Sequence, residues 1–338
     1  MPAIDFRPIP LDDLPCEPCE STAGLWAGYL SAGDITLLTS RWKTGKTTLL
    51  AGLLRALGPG TPFLDRPTRP ARVWVVSEES QAVWAERVRG RPVGPHVHLL
   101  ARPFRGRPAV ADWLALLDAA ATARTAGRLD LLVIDPLASF LPGRCESDAA
   151  GLLDALHPLH ALTASGAAVL LLHHPRKGPT DPGSMARGSG ALLGFVDVTV
   201  ELTRYSQLAT DANRRLLTAE GRRPGVPARL AYELDPATGA FRAVGDPGER
   251  QFAENWTVVE GLLRGCRGAV TCRELLADWP AEVPPPSDST LYRWLALAAA
   301  TGLVVRDGRG TRNRPWRYRL AGGDVGWANG LPPLPELG

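Results

Sequence analysis

Phosphate chemistry is indicated by a short polar loop that follows an apolar, β-type run. The run covers residues 35–38, and the loop ends in Gly45, Lys46 and Thr47. In the pattern G-x-x-x-x-G-K-[ST], backbone N–H groups surround phosphates, the lysine reaches the β and γ oxygens, and the hydroxyl binds Mg²⁺. Leucines then recur at helical spacing, which predicts that Lys46 and Thr47 lie at a helix N-terminus, where the dipole favours anions. The loop therefore predicts nucleotide binding.

The predicted nucleotide-binding residues are nine consecutive positions of this loop. They are Ser40, Arg41, Trp42, Lys43, Thr44, Gly45, Lys46, Thr47 and Thr48. Ser40 stands where the pattern has its first glycine, and serine tolerates positive φ less well than glycine does. The alternative interpretation is a Gly-Lys-Thr loop that happens to precede a helix.

Lysine usage supports the phosphate interpretation. Of the 38 basic residues, three are lysine, namely Lys43, Lys46 and Lys177, and the others are arginine. All three lie in candidate phosphate loops. Because lysine and arginine are not interchangeable where a compact ammonium must enter a phosphate nest, this distribution favours a functional reason for the lysines.

Acidic residues follow two further buried-strand patterns. Asp135 ends the apolar run 131–134, which predicts a carboxylate that holds Mg²⁺ together with the Thr47 hydroxyl. Many ATPases have a water-activating glutamate directly after this aspartate, but here Pro136 follows, so the base must come from elsewhere. Glu78 and Glu79 follow the predicted strand 71–76 and supply candidates, since ligands bind at the carboxyl ends of α/β strands. The alternative is a helix N-terminal turn that favours acids.

Two histidines lie at the end of another predicted strand, residues 167–172. An imidazole of His173 or His174 could hydrogen-bond a γ-phosphate and report its loss to the next loop. The alternative is a strand-end histidine whose polar atoms are satisfied by backbone. A Gly- and Pro-rich basic loop, residues 175–190, follows.

A change of composition near residue 245 predicts a second domain. Helical patterns over 252–265, 271–279 and 287–300, followed by a hairpin over 303–306 and 314–320, predict a winged helix. Basic side chains in this region suit phosphate contact, which predicts DNA binding by Arg293, Arg306, Arg309, Arg312, Arg314 and Arg317. The same plan often serves protein contacts only, so that alternative stays open.

Length and composition predict a cytoplasmic globular protein. The net charge of +3 is small, so any affinity for nucleic acid must come from a local patch. No apolar run approaches the ~18 residues of a membrane helix, and an acidic N-terminus is no signal peptide. The five cysteines suit reduced thiols. Cys16 and Cys19 have the spacing of half a zinc site, but no second pair follows, which argues against metal binding. We predict a flexible arm (1–23), an ATPase domain (24–245), a winged-helix domain (246–322) and a flexible tail (323–338).

With these motifs in order, residues 25 to about 203 resemble the RecA-like ATPases, in the group that contains the plasmid replicative helicase RepA and its relatives RadA and KaiC. The matching stretches are residues 42–48, 78–80, 133–137, 173–178 and 186–192. The resemblance implies an α/β fold with a mostly parallel sheet, helices on both faces and ATP with Mg²⁺ as cofactors. It favours Glu78 over Glu79 as the base and His174 over His173 as the γ-phosphate sensor.

The resemblance also implies assembly and a DNA partner. RecA-like sites lie between subunits of a ring or filament, a hexamer being one such ring, and a neighbour's cation can stabilise the transferring phosphoryl group. Arg187 is the first candidate for that cation, followed by Arg176 and Lys177. Alternatively, Arg187 contacts only DNA phosphates.

Two functions from different classes fit this sequence. The first is an ATP-driven DNA motor or loader, of the helicase type, in replication or recombination of a plasmid, phage or mobile element. The second is an ATP-dependent switch whose winged helix binds an operator or a protein partner, with hydrolysis timing its release. Turnover stimulated by DNA favours the first function, and slow turnover independent of DNA favours the second.

Overall fold

Alternating buried strands and amphipathic helices form the first part of the chain. In the computed structural model, the described residues are 10–11, 24–143, 149–174, 190–205, 212–223, 225–244, 247–311 and 314–321. The chain divides into two compact units, Met1–Gly245 and Asp246–Gly338. Neither 24–143 nor the later described ranges contain a helix that is long and apolar enough to cross a membrane.

The first unit contains a large sheet. Its strands are β1 (Ile35–Ser40), β2 (Val73–Ser77), β3 (Val97–Ala101), β4 (Leu131–Asp135), β5 (Ala168–His173), β6 (Val198–Arg204), β7 (Arg214–Gly221), β8 (Arg229–Leu234) and β9 (Phe241–Val244). Its helices are α1 (Lys46–Leu57), α2 (Gln81–Val88), α3 (Val110–Thr125), α4 (Ala149–Leu156), α5 (Pro158–Ala164) and α6 (Gly190–Phe195), and a short 3-10 helix covers Leu137–Ser139.

Strand order explains the hydrophobic pattern of the chain. Within the described residues the sheet has the order β3-β2-β4-β5-β1-β6-β7-β8-β9. The strands from β3 to β6 in this order are parallel, and β6 to β9 pair antiparallel. Parallel strands are covered by helices on both faces, which is why β4 and most of β5 are continuously apolar and buried. The predicted α/β fold, a mostly parallel RecA-like sheet with helices on both faces, is confirmed.

The sheet separates two hydrophobic cores. Along β4, Leu131 and Val133 face the core that contains α1 and Trp84 of α2, whereas Leu132 and Ile134 face the core that contains α3 to α6. In the second core the buried Trp113 donates its indole N–H to the carbonyl of Ala155 at 2.8 Å, which ties α3 to α4. Because the two faces alternate with a period of two, a one-residue shift in register would exchange the cores.

The end of the sheet differs from the sequence prediction. Residues 194–203 do not form one strand, because helix α6 ends at Phe195 before β6 begins. Residues 228–243 form two strands, since the Asp235 side chain accepts hydrogen bonds from the Ala237 N–H and the Thr238 hydroxyl and so stabilises a turn. Strand β7 was not predicted, because its arginines and single buried leucine pair give a weak alternation.

The second unit combines helices with a small antiparallel sheet. Its elements are α7 (Pro247–Gly265), β10 (Val270–Thr271), α8 (Cys272–Ala277), α9 (Asp288–Ala300), β11 (Val304–Asp307) and β12 (Arg317–Leu320), and the strand order is β10-β12-β11. A capping box between Thr271 and Glu274 begins α8, and the Ser287 side chain caps α9. Trp256, Trp294 and other buried side chains of these elements form a separate core.

Helix α1 supplies a test of the packing on its face of the sheet. A Cβ atom added at Gly52 would lie 2.5 Å from Cε2 of Phe241, whose ring packs against Phe63 with centroids 5.2 Å apart. Alanine is normally the better helix former by roughly 0.5–1 kcal/mol. We nevertheless expect Gly52→Ala to lower the free energy of unfolding by about 1–3 kcal/mol, because the ring must move. Urea unfolding followed by circular dichroism measures this change.

The control is Gly194→Ala in α6, where an added Cβ meets no atom within 4 Å. This variant should be as stable as the parent or slightly more stable. Equal stability of the Gly52 and Gly194 variants would contradict the tight packing of α1 against β9.

Candidate nucleotide site

Four parallel strands bring the predicted site residues to one edge of the sheet. Thr39 of β1 is in register with His173 of β5, and Ser77 of β2 is in register with Asp135 of β4. The carboxyl ends of these strands are followed by the phosphate loop, the acidic pair, the aspartate and the two histidines. In open α/β sheets this edge binds ligands, so the fold places all four motifs where a nucleotide would bind.

The phosphate loop is held by its own hydroxyl groups. The carbonyl oxygen of Arg41 accepts hydrogen bonds from Ser40 Oγ at 2.9 Å and from Thr44 Oγ1 at 2.8 Å. Ser40 is the last residue of β1, so this position needs no positive φ. The left-handed positions are Gly45, with φ of 108°, and Lys43, with φ of 59°. For Lys43, which is not glycine, a positive φ costs roughly 1–3 kcal/mol. This conformation persists only where the surroundings restrain the loop.

Lys46 is buried at the first position of α1. Its Nζ lies 3.1 Å from Ser40 Oγ, 3.4 Å from Ser40 O and 2.8 Å from Nδ1 of His174. Burial lowers the pKa of Lys46 to about 8, against the opposing effect of the Asp135 charge. The ammonium therefore stands in a desolvated position where phosphate oxygens would stabilise it.

Thr47 and Asp135 meet beside the lysine. Thr47 Oγ1 donates to Asp135 Oδ2 at 3.1 Å. Burial raises the pKa of Asp135 to about 6, and the Thr47 hydrogen bond and the Lys46 charge oppose the shift. A hydroxyl and a desolvated carboxylate are hard oxygen donors, and Mg²⁺ in such sites takes one or two protein oxygens besides water and phosphate. These two residues therefore fit Mg²⁺, although the described residues contain no cluster of three or more His, Cys, Asp or Glu side chains that could hold a metal.

The two glutamates of the acidic pair, Glu78 and Glu79, lie in different environments. Both oxygens of Glu79 are paired with the guanidinium of Arg87, which in turn lies 5.0 Å from the centre of the Trp84 ring. Glu78 is exposed and accepts a hydrogen bond from the neutral hydroxyl of Ser139. Both oxygens of Glu79 are thus occupied by a bidentate guanidinium, whereas the exposed Glu78 carboxylate has a neutral hydroxyl partner and is open to solvent.

The two histidines also differ. His174 contacts Lys46, and burial followed by the Lys46 charge lowers its pKa. Burial lowers the pKa of His173 to about 4, with smaller contributions from Lys46 and His174, and its Nδ1 is buried without a hydrogen-bond partner. Both rings are therefore neutral at physiological pH, and it is His174 that reaches the phosphate-loop lysine.

The remaining loop residues face solvent. Arg41, Trp42, Lys43 and Thr48 are exposed, and the Trp42 side chain is 69% exposed with its ring centre 5.8 Å from that of His174. Trp42 is thus positioned beside the site rather than in a core.

Three residues at this edge were missed from the sequence. Ser139 binds Glu78, Arg87 binds Glu79, and Arg215 Nε donates to the carbonyl of Thr44 at 2.7 Å. Glu79 and Arg87 are eight positions apart, which is not the spacing of neighbours on a helix, so no local pattern signals this pair. Nothing in the sequence distinguishes Arg215, because arginine is abundant throughout the chain.

The remaining predicted residues fall into two groups. Arg176, Lys177, Arg187, Arg312, Cys16 and Cys19 lie outside the described residues. In the second unit, Arg306 stacks 4.2 Å from the centre of the Trp316 ring, Arg317 Nη1 donates to Ala269 O at 2.9 Å and Arg293 Nη2 donates to Thr290 Oγ1 at 3.3 Å. Arg309 and Arg314 are exposed in the β11–β12 connection.

A buried phosphate-loop lysine, an adjacent Thr–Asp pair and a RecA-like sheet together define the class of P-loop ATPases. A protein-family model described as an AAA domain matches residues 2–180. That match covers more than half of the chain, so the protein belongs to this family of AAA-domain proteins. Among curated proteins, none matches the chain.

The raised pKa of Asp135 predicts a pH-dependent cost to the fold. The folded protein holds the Asp135 proton more tightly than the unfolded chain, whose pKa is near 3.8, so the free energy of unfolding falls as the pH rises from that value through about 6 and levels off above it. Asp135→Asn cannot ionise. Relative to the parent, we expect this variant to gain about 1 kcal/mol of unfolding free energy between about pH 5 and about pH 7.5, measured by urea unfolding without nucleotide.

The control is Asp130→Asn. Hydrogen bonds and charges from Arg72 and Arg124 outweigh burial and lower the pKa of Asp130, so this carboxyl is ionised in both states over the same range. Its difference from the parent should not change with pH. A constant difference for Asp135→Asn as well would contradict the desolvation of Asp135.

Proposed function

We propose that this protein hydrolyses ATP with Mg²⁺ and uses the reaction to act on DNA, as a motor or loader of the RepA, RadA and KaiC type. The observation that carries the ATPase part is the convergence of Lys46, the Thr47–Asp135 pair and Glu78 at one edge of a RecA-like sheet. Membership of the AAA-domain family supports the same conclusion.

Each residue at the edge has a distinct role in this proposal. The backbone N–H groups of the phosphate loop and the Lys46 ammonium bind the β- and γ-phosphates. Thr47 and Asp135 would hold Mg²⁺, which when bound would neutralise charge that develops on the phosphate oxygens. Ser139 positions Glu78, and Glu78 orients the attacking water and accepts its proton. As the water oxygen bonds to the γ-phosphorus, the bond from that phosphorus to the bridging oxygen of ADP breaks. The products are ADP and inorganic phosphate, and water is the only co-reactant.

His174 connects the lysine to the next loop. As a neutral ring 2.8 Å from Lys46 Nζ, it accepts a hydrogen bond from the ammonium. Phosphate oxygens compete for the same ammonium, so binding of ATP frees the ring to contact the γ-phosphate, and product release restores the first arrangement. His173, the last residue of β5, is half-buried and directly precedes His174 in the chain.

In this proposal the second unit is a winged helix, and it is the part of the protein that binds DNA. Its order of elements, with α8 and α9 followed by the β11–β12 hairpin, supports this proposal. Arg309 and Arg314 are its phosphate-binding candidates, together with Arg312, whereas Arg306 and Arg317 also serve packing contacts. Many AAA-type ATPases oligomerise, and we include assembly into a ring or filament, with Arg187, Arg176 or Lys177 as a cation supplied to a neighbour's site.

The catalytic roles predict a separation of binding from turnover. Lys46→Ala should lose hydrolysis and most ATP binding, because it removes the buried ammonium at the start of α1 that would bind the phosphates. Glu78→Gln should bind ATP like the parent but lose roughly 10²-fold or more in kcat, because an amide cannot accept the proton. Phosphate release and fluorescence of the exposed Trp42 measure turnover and binding.

Glu79→Gln is the matched control for the base. It removes a carboxylate that Arg87 already occupies, so we expect less than about a tenfold change in kcat. If Glu79→Gln is inactive and Glu78→Gln is active, the roles of the two glutamates are reversed. Normal turnover by Lys46→Ala would refute the ATPase proposal.

The DNA assignment predicts a change in salt dependence. Arg309→Ala combined with Arg314→Ala should weaken DNA binding and lower the slope of log affinity against log salt by about one to two, since each arginine–phosphate contact releases counterions. The control removes the same charge from the same unit, as Arg264→Ala with Arg267→Ala on and beyond α7. Fluorescence anisotropy with single-stranded and duplex DNA over a salt titration provides the measurement.

The ATPase rate with and without DNA separates the two candidate functions. Stimulation of ATP hydrolysis by DNA supports the motor or loader. The opposite result has two parts: DNA leaves the rate of ATP hydrolysis unchanged, and the variant that combines Arg309→Ala with Arg314→Ala binds DNA like the parent. That result would make the second unit a protein-contact module of an ATP-dependent switch.

A further inference from the structure

An arginine from the antiparallel end of the sheet contacts the phosphate loop. Arg215 lies near the start of β7, where it is in register with Arg204 of β6 and Tyr232 of β8. Tyr232 belongs to the core on the α1 side of the sheet, so Arg215 points to the same side. Its Nε donates to the carbonyl oxygen of Thr44 at 2.7 Å. A residue 171 positions later in the chain therefore holds the residue before Gly45.

The guanidinium is fixed by its other contacts. Nη1 of Arg215 donates to the carbonyls of Ala212 at 2.6 Å and Arg214 at 2.7 Å. Three carbonyl groups around one guanidinium leave the side chain little freedom. The planar guanidinium can donate to all three at once, whereas a shorter side chain or one with a single nitrogen donor cannot. Arg215 is thus a rigid support and not a mobile surface charge.

The bond to Thr44 sets the direction of a neighbouring N–H group. The peptide bond between Thr44 and Gly45 is trans, so its C=O and its N–H point in opposite directions. When Arg215 holds the carbonyl towards β7, the Gly45 N–H is turned to the opposite side, away from Arg215. An N–H group in this position is a phosphate donor in P-loops.

The loop needs such a restraint from outside. Lys43 has a positive φ without being glycine, and Gly45 has φ of 108°. The loop's own hydroxyl bonds from Ser40 and Thr44 both end on the Arg41 carbonyl, so they order the beginning of the loop and leave the Thr44–Gly45 peptide to other contacts. Arg215 supplies the contact at that peptide.

We infer that Arg215 is a positioning residue for nucleotide binding, which acts by orienting the Gly45 N–H towards the β-phosphate. This inference rests on the proposed ATPase function. It gives the antiparallel strands β6 to β9 a role in the site, because β7 carries the support. Arg215 itself need not touch the nucleotide.

The test compares Arg215→Met with Arg215→Lys. The Met variant removes every donor, so KM for ATP and the dissociation constants of ATP and ADP should rise about 10- to 100-fold, the effect of one charge-assisted hydrogen bond. The kcat at saturating ATP should stay within about threefold, because the base and the Mg²⁺ ligands are unchanged. The Lys variant keeps a charge and one possible bond to Thr44 O, so its KM should lie between those of Met and the parent.

Arg242→Met is the matched control. Arg242 lies on β9 in the same part of the sheet and pairs with Glu233 at 2.6 Å. It should leave KM unchanged. If Arg215 had a purely structural role, Arg215→Met would lower thermal stability, and kcat would fall because a smaller fraction of the protein is active. KM would then stay unchanged.

Four results would decide the matter. A raised KM in the Met variant, with Lys intermediate and Arg242→Met unchanged, supports the inference. A Met variant with the KM of the parent overturns it. Full recovery by Lys would assign the effect to charge and overturn the orienting role. If the parent neither binds nor hydrolyses ATP, the proposed function fails instead, which the parent's own titration reveals.

Discussion

The buried ammonium of Lys46 is the group on which the functional edge of this protein depends. A cation with little access to water must be compensated by nearby polar groups, and burial lowers its pKa to about 8. Its compensation comes from Ser40 at the end of β1, from His174 after β5 and from the charge of Asp135 at the end of β4. The strand order β4-β5-β1 places these groups around one point, so the sheet topology is a requirement of the site.

The three carboxylates at the same edge lie in different environments because each has a different partner. Asp135 is desolvated and has a hydroxyl neighbour, which suits a metal ligand. Glu79 is neutralised by Arg87, and Glu78 remains exposed beside Ser139. Without these different partners, three acidic groups at one edge would repel one another. The partners are Thr47 of α1, Arg87 of α2 and Ser139 of the 3-10 helix after β4, so the elements next to the strands give each carboxylate its own environment.

The part of the chain that follows the AAA-domain match also contributes to this edge. The match ends at residue 180, whereas β6 begins at Val198 and β7 at Arg214. Through Arg215, the later antiparallel strands contact the loop that the matched region contains. The phosphate loop of this protein is therefore supported by both regions, one supplying the lysine and the hydroxyls and the other supplying a guanidinium.

Local sequence determined the phosphate loop, the strand that precedes it, the position of Asp135 and the α/β class, because these follow from short-range patterns of apolar and polar residues. It also gave the acidic and histidine pairs but could not choose firmly within either. Tertiary structure showed that the members of each pair have different contacts, through residues that are distant or inconspicuous: Ser139 beside Glu78, Arg87 beside Glu79 and Lys46 beside His174. The same holds for Arg215, since an arginine gains its role only when the sheet brings it to Thr44, and no local pattern records that distance.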